Sequence, residues 1–263
     1  MSAVALGLLV HVDRIAGPAM LDAATRAESL GFDALWLRAA ASTAVAAVAA
    51  RTARIRVCGS VELAALDPVH VAEEWATADA IANGRVELVV RCDELDTEER
   101  RETLRERVDL LQRLWTEPEV TWSGRSRAPL AAVTLEPRPV QRPHPPIWIG
   151  GGSPRPAADL AAALGLPLVL SLRSAPAREL APIAAHYRTA LVAAGHDPAR
   201  ARLGCCGAVG GSPAEVADQV AALRAALGLD LFVAQLDVGG LPPAEIARRE
   251  EIFAAEVAPR LRA

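Results

Sequence analysis

The segment from Pro145 to Pro154 reads Pro-Pro-Ile-Trp-Ile-Gly-Gly-Gly-Ser-Pro, and its residue types and spacing suit the binding of a phosphate. An apolar strand runs into three glycines, which permit close backbone approach and positive φ angles. A helix then begins, and helix starts present backbone N–H groups and the positive end of the dipole. The alternative is an ordinary strand-to-helix turn with Ser153 as the N-cap residue. A phosphate bound at this turn would contact Gly150, Gly151, Gly152 and Ser153.

Two further side chains stand where predicted strands end. His11 follows the first apolar run, and because an imidazole titrates near neutrality it could donate or accept a proton there. Arg91 ends a later run, and its planar guanidinium suits a phosphate or carboxylate group of a cofactor or substrate. Each has a structural alternative: His11 could bridge a strand and a loop, and Arg91 could pair with Asp93 or Glu62. These two residues are the candidate catalytic groups.

The cysteines give no metal-binding pattern. The chain has four of them, without a CxxC pair or histidines at zinc-ligand spacing, and we predict no metal site. Cys92 could be a reactive thiol, but a buried, unreactive cysteine is the favoured interpretation. The adjacent Cys205 and Cys206 in an apolar run are typical of a reducing compartment. No basic signal segment or membrane-spanning run is evident, so we expect a cytoplasmic protein.

Size and charge narrow the class of protein. The chain has 263 residues, 52% of them hydrophobic, which is enough for one large domain over residues 1–263. The net charge is −4, so neither a nucleic acid nor a membrane is an expected partner. The sequence has no Gly-x-Ser-x-Gly motif and no P-loop, which argues against hydrolase and nucleotide-triphosphate chemistry.

Strand and helix patterns alternate along almost the whole chain, which predicts an α/β protein with eight βα units, a (β/α)₈ TIM barrel. A doubly wound open sheet is the alternative. The polar, proline-rich segment Glu117–His144 interrupts the alternation as an irregular excursion between the fourth helix and the fifth strand, with a short hairpin expected at Val120–Trp122. The predicted strands are Val4–Val12, Asp33–Leu37, Arg54–Val61, Arg85–Arg91, Pro146–Ile149, Leu168–Leu172, Arg202–Val209 and Asp230–Leu236. The predicted helices are Pro18–Leu30, Thr43–Arg51, Pro68–Ala82, Thr97–Trp115, Arg155–Leu164, Ala177–Ala194, Pro213–Leu227 and Pro243–Arg260.

Several segments, in matching order along the chain, resemble the bacterial luciferase-like family of flavin- and F420-dependent oxidoreductases. The strongest resemblance is carried by Arg138–Pro154, which ends in the glycine-rich turn. The other similar segments are Gly31–Trp36, Ala53–Val57, Asp67–Glu74, Asn83–Leu88, Gly211–Gln219 and Asp237–Pro242.

This resemblance implies a TIM barrel with a reduced flavin or deazaflavin in its mouth. The implied activity is oxygen activation with reduced FMN on a small organic substrate, or alternatively hydride transfer with F420. It implies that the loop Gly150–Ser153 contacts the cofactor phosphate, and that Ser60 and Val61 lie behind the ring, where a non-prolyl cis peptide is often present. Members are usually dimeric, so we expect a homodimer or a heterodimer with a related subunit.

The chain also departs from the family pattern. Ala39 and Ala40 stand where many members have an acidic residue and a histidine, and a methyl group cannot move a proton. The run Val89–Asp93 replaces alternating glycines that leave room for the cofactor, and several loops are short. We therefore expect an intact phosphate end and a rebuilt ring end. A non-catalytic partner subunit, with an interface near Ala44–Ala50, is the alternative to an active oxidoreductase.

Overall fold

Eight parallel strands close into a barrel with helices around it, in a computed structural model that describes residues 4–12, 17–38, 41–93 and 97–262. The strands are β1 (Ala5–His11), β2 (Ala34–Arg38), β3 (Arg56–Val61), β4 (Val86–Arg91), β5 (Val120–Trp122), β6 (Leu130–Val133), β7 (Ile147–Gly150), β8 (Leu168–Ser171), β9 (Leu203–Ala208) and β10 (Leu231–Gln235). The helices are α1 (Gly17–Ser29), α2 (Ser42–Arg51), α3 (Pro68–Ile81), α4 (Glu98–Thr116), α5 (Pro154–Leu164), α6 (Ala177–Ala193), α7 (Pro213–Leu227), α8 (Pro243–Ile252) and α9 (Ala258–Arg262). A 3₁₀ turn covers Pro198–Arg200, and a π-helical turn covers Phe253–Val257.

The barrel is fully closed. Its strands follow the order β1, β10, β9, β8, β7, β4, β3, β2, and β2 pairs with β1. The predicted (β/α)₈ TIM barrel is therefore confirmed, and the open-sheet alternative is wrong because such a sheet has two unpaired edges.

Capping residues mark the starts of several helices. Asp67 caps α3, where its carboxylate accepts a hydrogen bond from the Val69 amide at 2.9 Å. Ser212 and Glu215 form a reciprocal capping box at the start of α7. The sequence predicts one regular helix over Pro243–Arg260, and this is wrong in one detail: the π-helical turn at Phe253–Val257 interrupts it. Pro259 has no N–H to donate to the carbonyl of Ala255, so one α-helical hydrogen bond is missing from the turn that precedes α9.

The barrel interior is filled by side chains from alternate strand positions. Leu9, Trp36 and Val89 project inward from three different strands, and all are buried. Trp36 meets Trp148 edge-on, with ring centroids 5.7 Å apart. These side chains fill the middle of the barrel.

The N-terminal end of the barrel is closed by a polar network. Glu87, only 3% exposed, pairs with Arg56 and accepts a hydrogen bond from Trp148 Nε1 at 2.7 Å. Arg202 lies 5.0 Å from the centroid of the same indole ring. These contacts satisfy the buried carboxylate, so this end of the barrel is structural.

The irregular segment after α4 is held against the outside of the barrel. The predicted hairpin is confirmed, since β5 pairs with β6 antiparallel. Buried Asp79 accepts hydrogen bonds from the amides of Val140 and Gln141 at 2.8 and 2.9 Å. The Glu106 carboxylate on α4 accepts from the amides of Arg125 and Ser126 at 2.8 and 3.0 Å. The excursion thus packs beside α3 and α4 as an ordered part of the fold.

No helix in the described ranges combines the length and the apolar character that crossing a membrane requires.

Candidate functional site

A cavity of about 360 Å³ opens at the C-terminal ends of the barrel strands, and we call it the mouth cavity. This is the end of a TIM barrel where active sites lie. Its apolar floor includes Leu9, Trp36, Cys58, Val89 and Val169. Its polar rim includes Arg38, Ser60, Arg91, Asp93, Ser171 and Arg173.

The floor and the rim come from the same strands. Residues two apart on a strand point to one face of the sheet, so four of the five floor residues are followed by an inward rim residue. The exception is Leu9, because His11, two residues further on, does not line the cavity. On β2 the pair is Trp36 and Arg38, and on β4 it is Val89 and Arg91. Val89 is 8% exposed and takes floor space, as the sequence predicted for this run.

Arg91 is held by two carboxylates. Its Nε lies 2.5 Å from Asp93 Oδ2 and 3.2 Å from Glu62 Oε1. The ion pairs of Arg91 with Asp93 and Glu62, which the sequence suggested as the alternative, are therefore both present. They largely neutralise the positive charge of Arg91. A role for Arg91 in binding a ligand stays a prediction.

The glycine-rich turn already holds an oxyanion. Gly151 and Gly152 have φ angles of +83° and +56°, and the Gly152 amide donates to Asp93 Oδ1 at 2.8 Å. A Cβ atom at Gly152 would lie 2.0 Å from the Cys92 carbonyl oxygen, so only glycine fits this close approach. One carboxylate, that of Asp93, therefore bridges the turn and Arg91.

Gly150 and Ser153, which flank the turn, make no hydrogen bond to the Asp93 carboxylate. Gly150 is buried in β7, and a Cβ there would lie 2.3 Å from Val169 Cγ1, so this glycine permits close strand packing. Ser153 is exposed and is the N-cap residue of α5, but its side chain makes no capping hydrogen bond. Pro154 and Pro156 have no N–H, so the first turn of α5 offers fewer donors than the expected helix start. Gly150 and Ser153 lie outside the lining of the mouth cavity.

Ser60 lines the mouth cavity, whereas Val61 is buried on the other face of β3. The cis peptide expected at these residues is not found: the cis bonds of the described residues precede Pro137 and Pro143. The expectation is wrong because β3 stays in regular pairing with β4 as far as Val61, which lies opposite Val90.

His11 belongs to a buried pair that the sequence did not indicate. Its Nδ1 lies 2.5 Å from Oδ2 of Asp237, which follows β10, and His11 is 3% exposed. Within the described part of the chain, His11 Nε2 and Asp237 Oδ1 have no hydrogen-bond partner. The two residues are 226 positions apart in the sequence. The available sequence signal is that His11 ends β1 and Asp237 follows β10, two strands that a closed barrel makes neighbours.

Two arginines of the rim were also missed as candidates. Arg38 ends β2, and Arg173 follows β8. Burial raises the pKa of the Cys206 thiol to about 12, and the positive charges of Arg38 and Arg173 oppose that shift. Both guanidinium groups therefore act on the same point of the mouth cavity, which Cys206 also lines.

The cysteines stay protonated thiols near neutral pH. Burial raises the pKa of Cys92 to about 12, with a further upward contribution from Asp93. This supports the interpretation of Cys92 as an unreactive buried thiol. Among the described residues, no group of three or more His, Cys, Asp or Glu side chains could hold a metal ion. Ala39 and Ala40 lie outside the described residues.

Comparison with known proteins decides the family. A family model described as luciferase-like monooxygenase matches residues 9–249, which is most of the chain. The chain belongs to the luciferase-like family. This confirms the family expected from the sequence segments, whose members are oxidoreductases and monooxygenases.

Individual relatives of this luciferase-like protein are more distant. It is 30% identical over 175 residues to an F420-dependent glucose-6-phosphate dehydrogenase of Kineococcus radiotolerans, a match that covers 57% of this chain and 51% of that relative. The fold matches the monooxygenase RslO1 of Streptomyces bottropensis with a TM-score of 0.85 at 23% identity, over 97% of this chain and 99% of that one. It also matches an F420-dependent secondary alcohol dehydrogenase with a TM-score of 0.83 at 18% identity, over 100% of both chains. The two structural matches support the barrel fold alone.

Proposed function

We propose that this luciferase-like protein is an oxidoreductase that binds reduced FMN in the mouth cavity and acts on a small organic molecule. The observation that carries the proposal is a cavity with an apolar floor and a polar rim at the catalytic end of the barrel. F420, the cofactor named for two of the relatives, is the alternative cofactor.

Gly152 and Arg91 can bind a phosphate group if the Asp93 side chain moves away from them. The Gly152 amide and Arg91 already converge on a single oxyanion, the Asp93 carboxylate. A phosphate oxygen can accept from the same two donors once Asp93 has turned away. In this proposal Gly151, Gly152 and Arg91 hold the phosphate end and Ser60 lies beside the ring. The contacts expected for Gly150, Ser153 and Val61 gain no support from the cavity, because none of these three residues lines it.

In this proposal the cavity floor and His11 control the access of water and the transfer of protons. The buried floor excludes water from a bound ring. His11 is proposed as a proton acceptor: in the tautomer that donates from Nδ1 to the Asp237 carboxylate, Nε2 can accept a proton. Nε2 is buried and His11 does not line the mouth cavity, so this role requires the strand end to open toward the ligand. When bound, the reduced cofactor would supply oxygen activation, or hydride in the case of F420.

A non-catalytic luciferase-like subunit is the second candidate function. Asp93 on the glycine turn favours it, because the phosphate position is filled by the chain itself. In either case we propose one cytoplasmic domain that forms a homodimer or a heterodimer with a related subunit. Exposed small residues on α2, Ala47 and Ala50, support an interface there.

Titration with oxidised FMN, reduced FMN and F420, followed by fluorescence, tests the proposal. We expect micromolar binding of one cofactor to the purified protein, and weaker binding to Arg91→Gln. Arg155→Gln removes an equal charge from the exposed first turn of α5 and is the matched control. If no cofactor binds at about millimolar concentration, the oxidoreductase proposal is refuted and the non-catalytic subunit is favoured.

A further inference from the structure

We propose that Arg38 and Arg173 form an anion-binding site in the mouth cavity, distinct from the Arg91 side. Its ligand is a small organic molecule that carries a carboxylate or phosphate group. The ligand's role as substrate rests on the proposed function, whereas the anion site itself does not.

The strand order places the two arginines on opposite walls of the barrel. In the closed order, β2 and β8 are separated by three strands in either direction. Arg38 and Arg173 nevertheless line the same cavity, and both act electrostatically on Cys206 of β9. The two side chains therefore border one cavity from different walls, where a single ligand could contact both.

The charges of these arginines are uncompensated in the described part of the chain. Arg91 has Asp93 and Glu62 as partners, but no carboxylate there lies within ion-pair distance of Arg38 or Arg173. Asp237 also acts on Cys206, yet its carboxylate binds His11. Each of these positive charges lacks a counter-charge, and an anion that contacts both guanidinium groups would supply it.

The main chain at both arginines is fixed by hydrogen bonds of the fold. Arg38 lies on the barrel strand β2, opposite His11 of β1. Arg173 lies in a tight turn in which its own amide donates to Ser171 Oγ at 3.3 Å, and the Ser174 amide donates to the Ser171 carbonyl at 3.0 Å. Ser171 also lines the cavity, so its hydroxyl is a further donor beside the guanidinium groups.

This chemistry selects the class of ligand. A guanidinium presents two parallel N–H donors, which match the paired oxygens of a carboxylate or phosphate. Arg38 of β2 lies three strands away from β7, whose end carries the glycine turn, whereas Arg173 follows β8, the neighbour of β7. The ligand's anionic group is therefore expected between Arg38 and Arg173, on the side of the cavity away from Arg91.

Calorimetric titration of the full chain without added cofactor tests the site. The probes are inorganic phosphate, benzoate and benzamide, the last being an uncharged analogue of benzoate. We expect at least one anion to bind, and the double variant Arg38→Gln/Arg173→Gln to weaken that binding at least about fivefold. Arg178→Gln, an exposed charge on the first turn of α6, is the matched control and should bind like the parent.

The outcomes decide the proposal in either direction. The site is overturned if neither anion binds below about 50 mM, if benzamide binds as well as benzoate and phosphate does not bind, or if the double variant loses less than the stated factor. Should the double variant not fold, Arg173→Gln decides by the same criterion, because Arg173 is exposed and carries no packing role. A flavin titration that fails while anions still bind refutes the proposed function and leaves the anion site standing.

Discussion

Replacement of Asp93 by asparagine should increase the affinity for FMN, because the Asp93 carboxylate occupies the position proposed for the FMN phosphate. The Asp93 carboxylate accepts from the Gly152 amide at 2.8 Å and pairs with Arg91 at 2.5 Å. A phosphate that binds the same donors has to displace this carboxylate and remain near its negative charge. Asp93→Asn removes the charge and keeps the size of the side chain.

The size of the effect follows from these two contacts. A charge-assisted hydrogen bond contributes about 1.5–3 kcal/mol when buried. The Asp93 side chain is 32% exposed, so solvent screening reduces each contact to about 1 kcal/mol. Since asparagine can still accept a weaker bond from Gly152, we expect a gain of about 1.4 kcal/mol, which is about tenfold in FMN affinity.

The assay compares FMN with riboflavin, which has the same ring and no phosphate. FMN affinity should rise in Asp93→Asn, while riboflavin affinity stays at the parent's value. Glu62→Gln is the matched control, because Glu62 pairs with Arg91 at 3.2 Å but does not contact the glycine turn, so its effect should be smaller. An equal change for both flavins, or no gain for FMN, would refute the assignment of Gly152 and Arg91 to the phosphate.

Three further changes test other parts of the structure. Burial alone raises the pKa of Glu28, but hydrogen bonds from the amides of Ile55, Arg54 and Ala53 outweigh it and lower the pKa. The ionised Glu28 carboxylate therefore stabilises the folded state above the unfolded-state pKa, and this stabilisation is lost as pH falls through the folded-state pKa. Glu28→Gln should lower the free energy of unfolding by about 1–2 kcal/mol at pH 7. Urea unfolding should show that the difference between variant and parent shrinks below about pH 4. Gly150→Ala should lower the free energy of unfolding by about 1–3 kcal/mol because its Cβ meets Val169, and Val169→Ala in the same chain should restore part of the loss; full stability of the single variant would contradict this packing. Asp237→Asn should redistribute the His11 ring proton between Nδ1 and Nε2, measurable by ¹⁵N NMR, and an unchanged spectrum would show that Asp237 does not position His11.

Much of the fold was readable because hydrophobic periodicity reports local structure. The strand predicted at Arg54–Val61 is observed at Arg56–Val61, and the helix predicted at Thr97–Trp115 is observed at Glu98–Thr116. The order of strands and helices then left a closed parallel barrel as the favoured arrangement. The break at Phe253–Val257 was missed because the apolar period continues through it, although Pro259 was the available indication.

The candidate site was readable only in part, because its contacts are tertiary. The sequence placed Asp93 and Gly152 at strand ends, but the hydrogen bond between them depends on two left-handed residues in the turn. Pairing of Arg91 was foreseen as an alternative because Asp93 is two residues away on the chain. The unpaired state of Arg38 could not be read, since it depends on which carboxylates the folded barrel brings near.

The two-residue offset between floor and rim also has an evolutionary consequence. Trp36 and Arg38 lie on one strand and face one way, yet the first is buried in the packed interior and the second is half-buried at the opening. Substitutions at rim positions can change which molecules the protein accepts without disturbing the packing that closes the barrel. New specificities can thus arise by single steps on an unchanged scaffold, and libraries that vary the rim while fixing the floor would retain folded members.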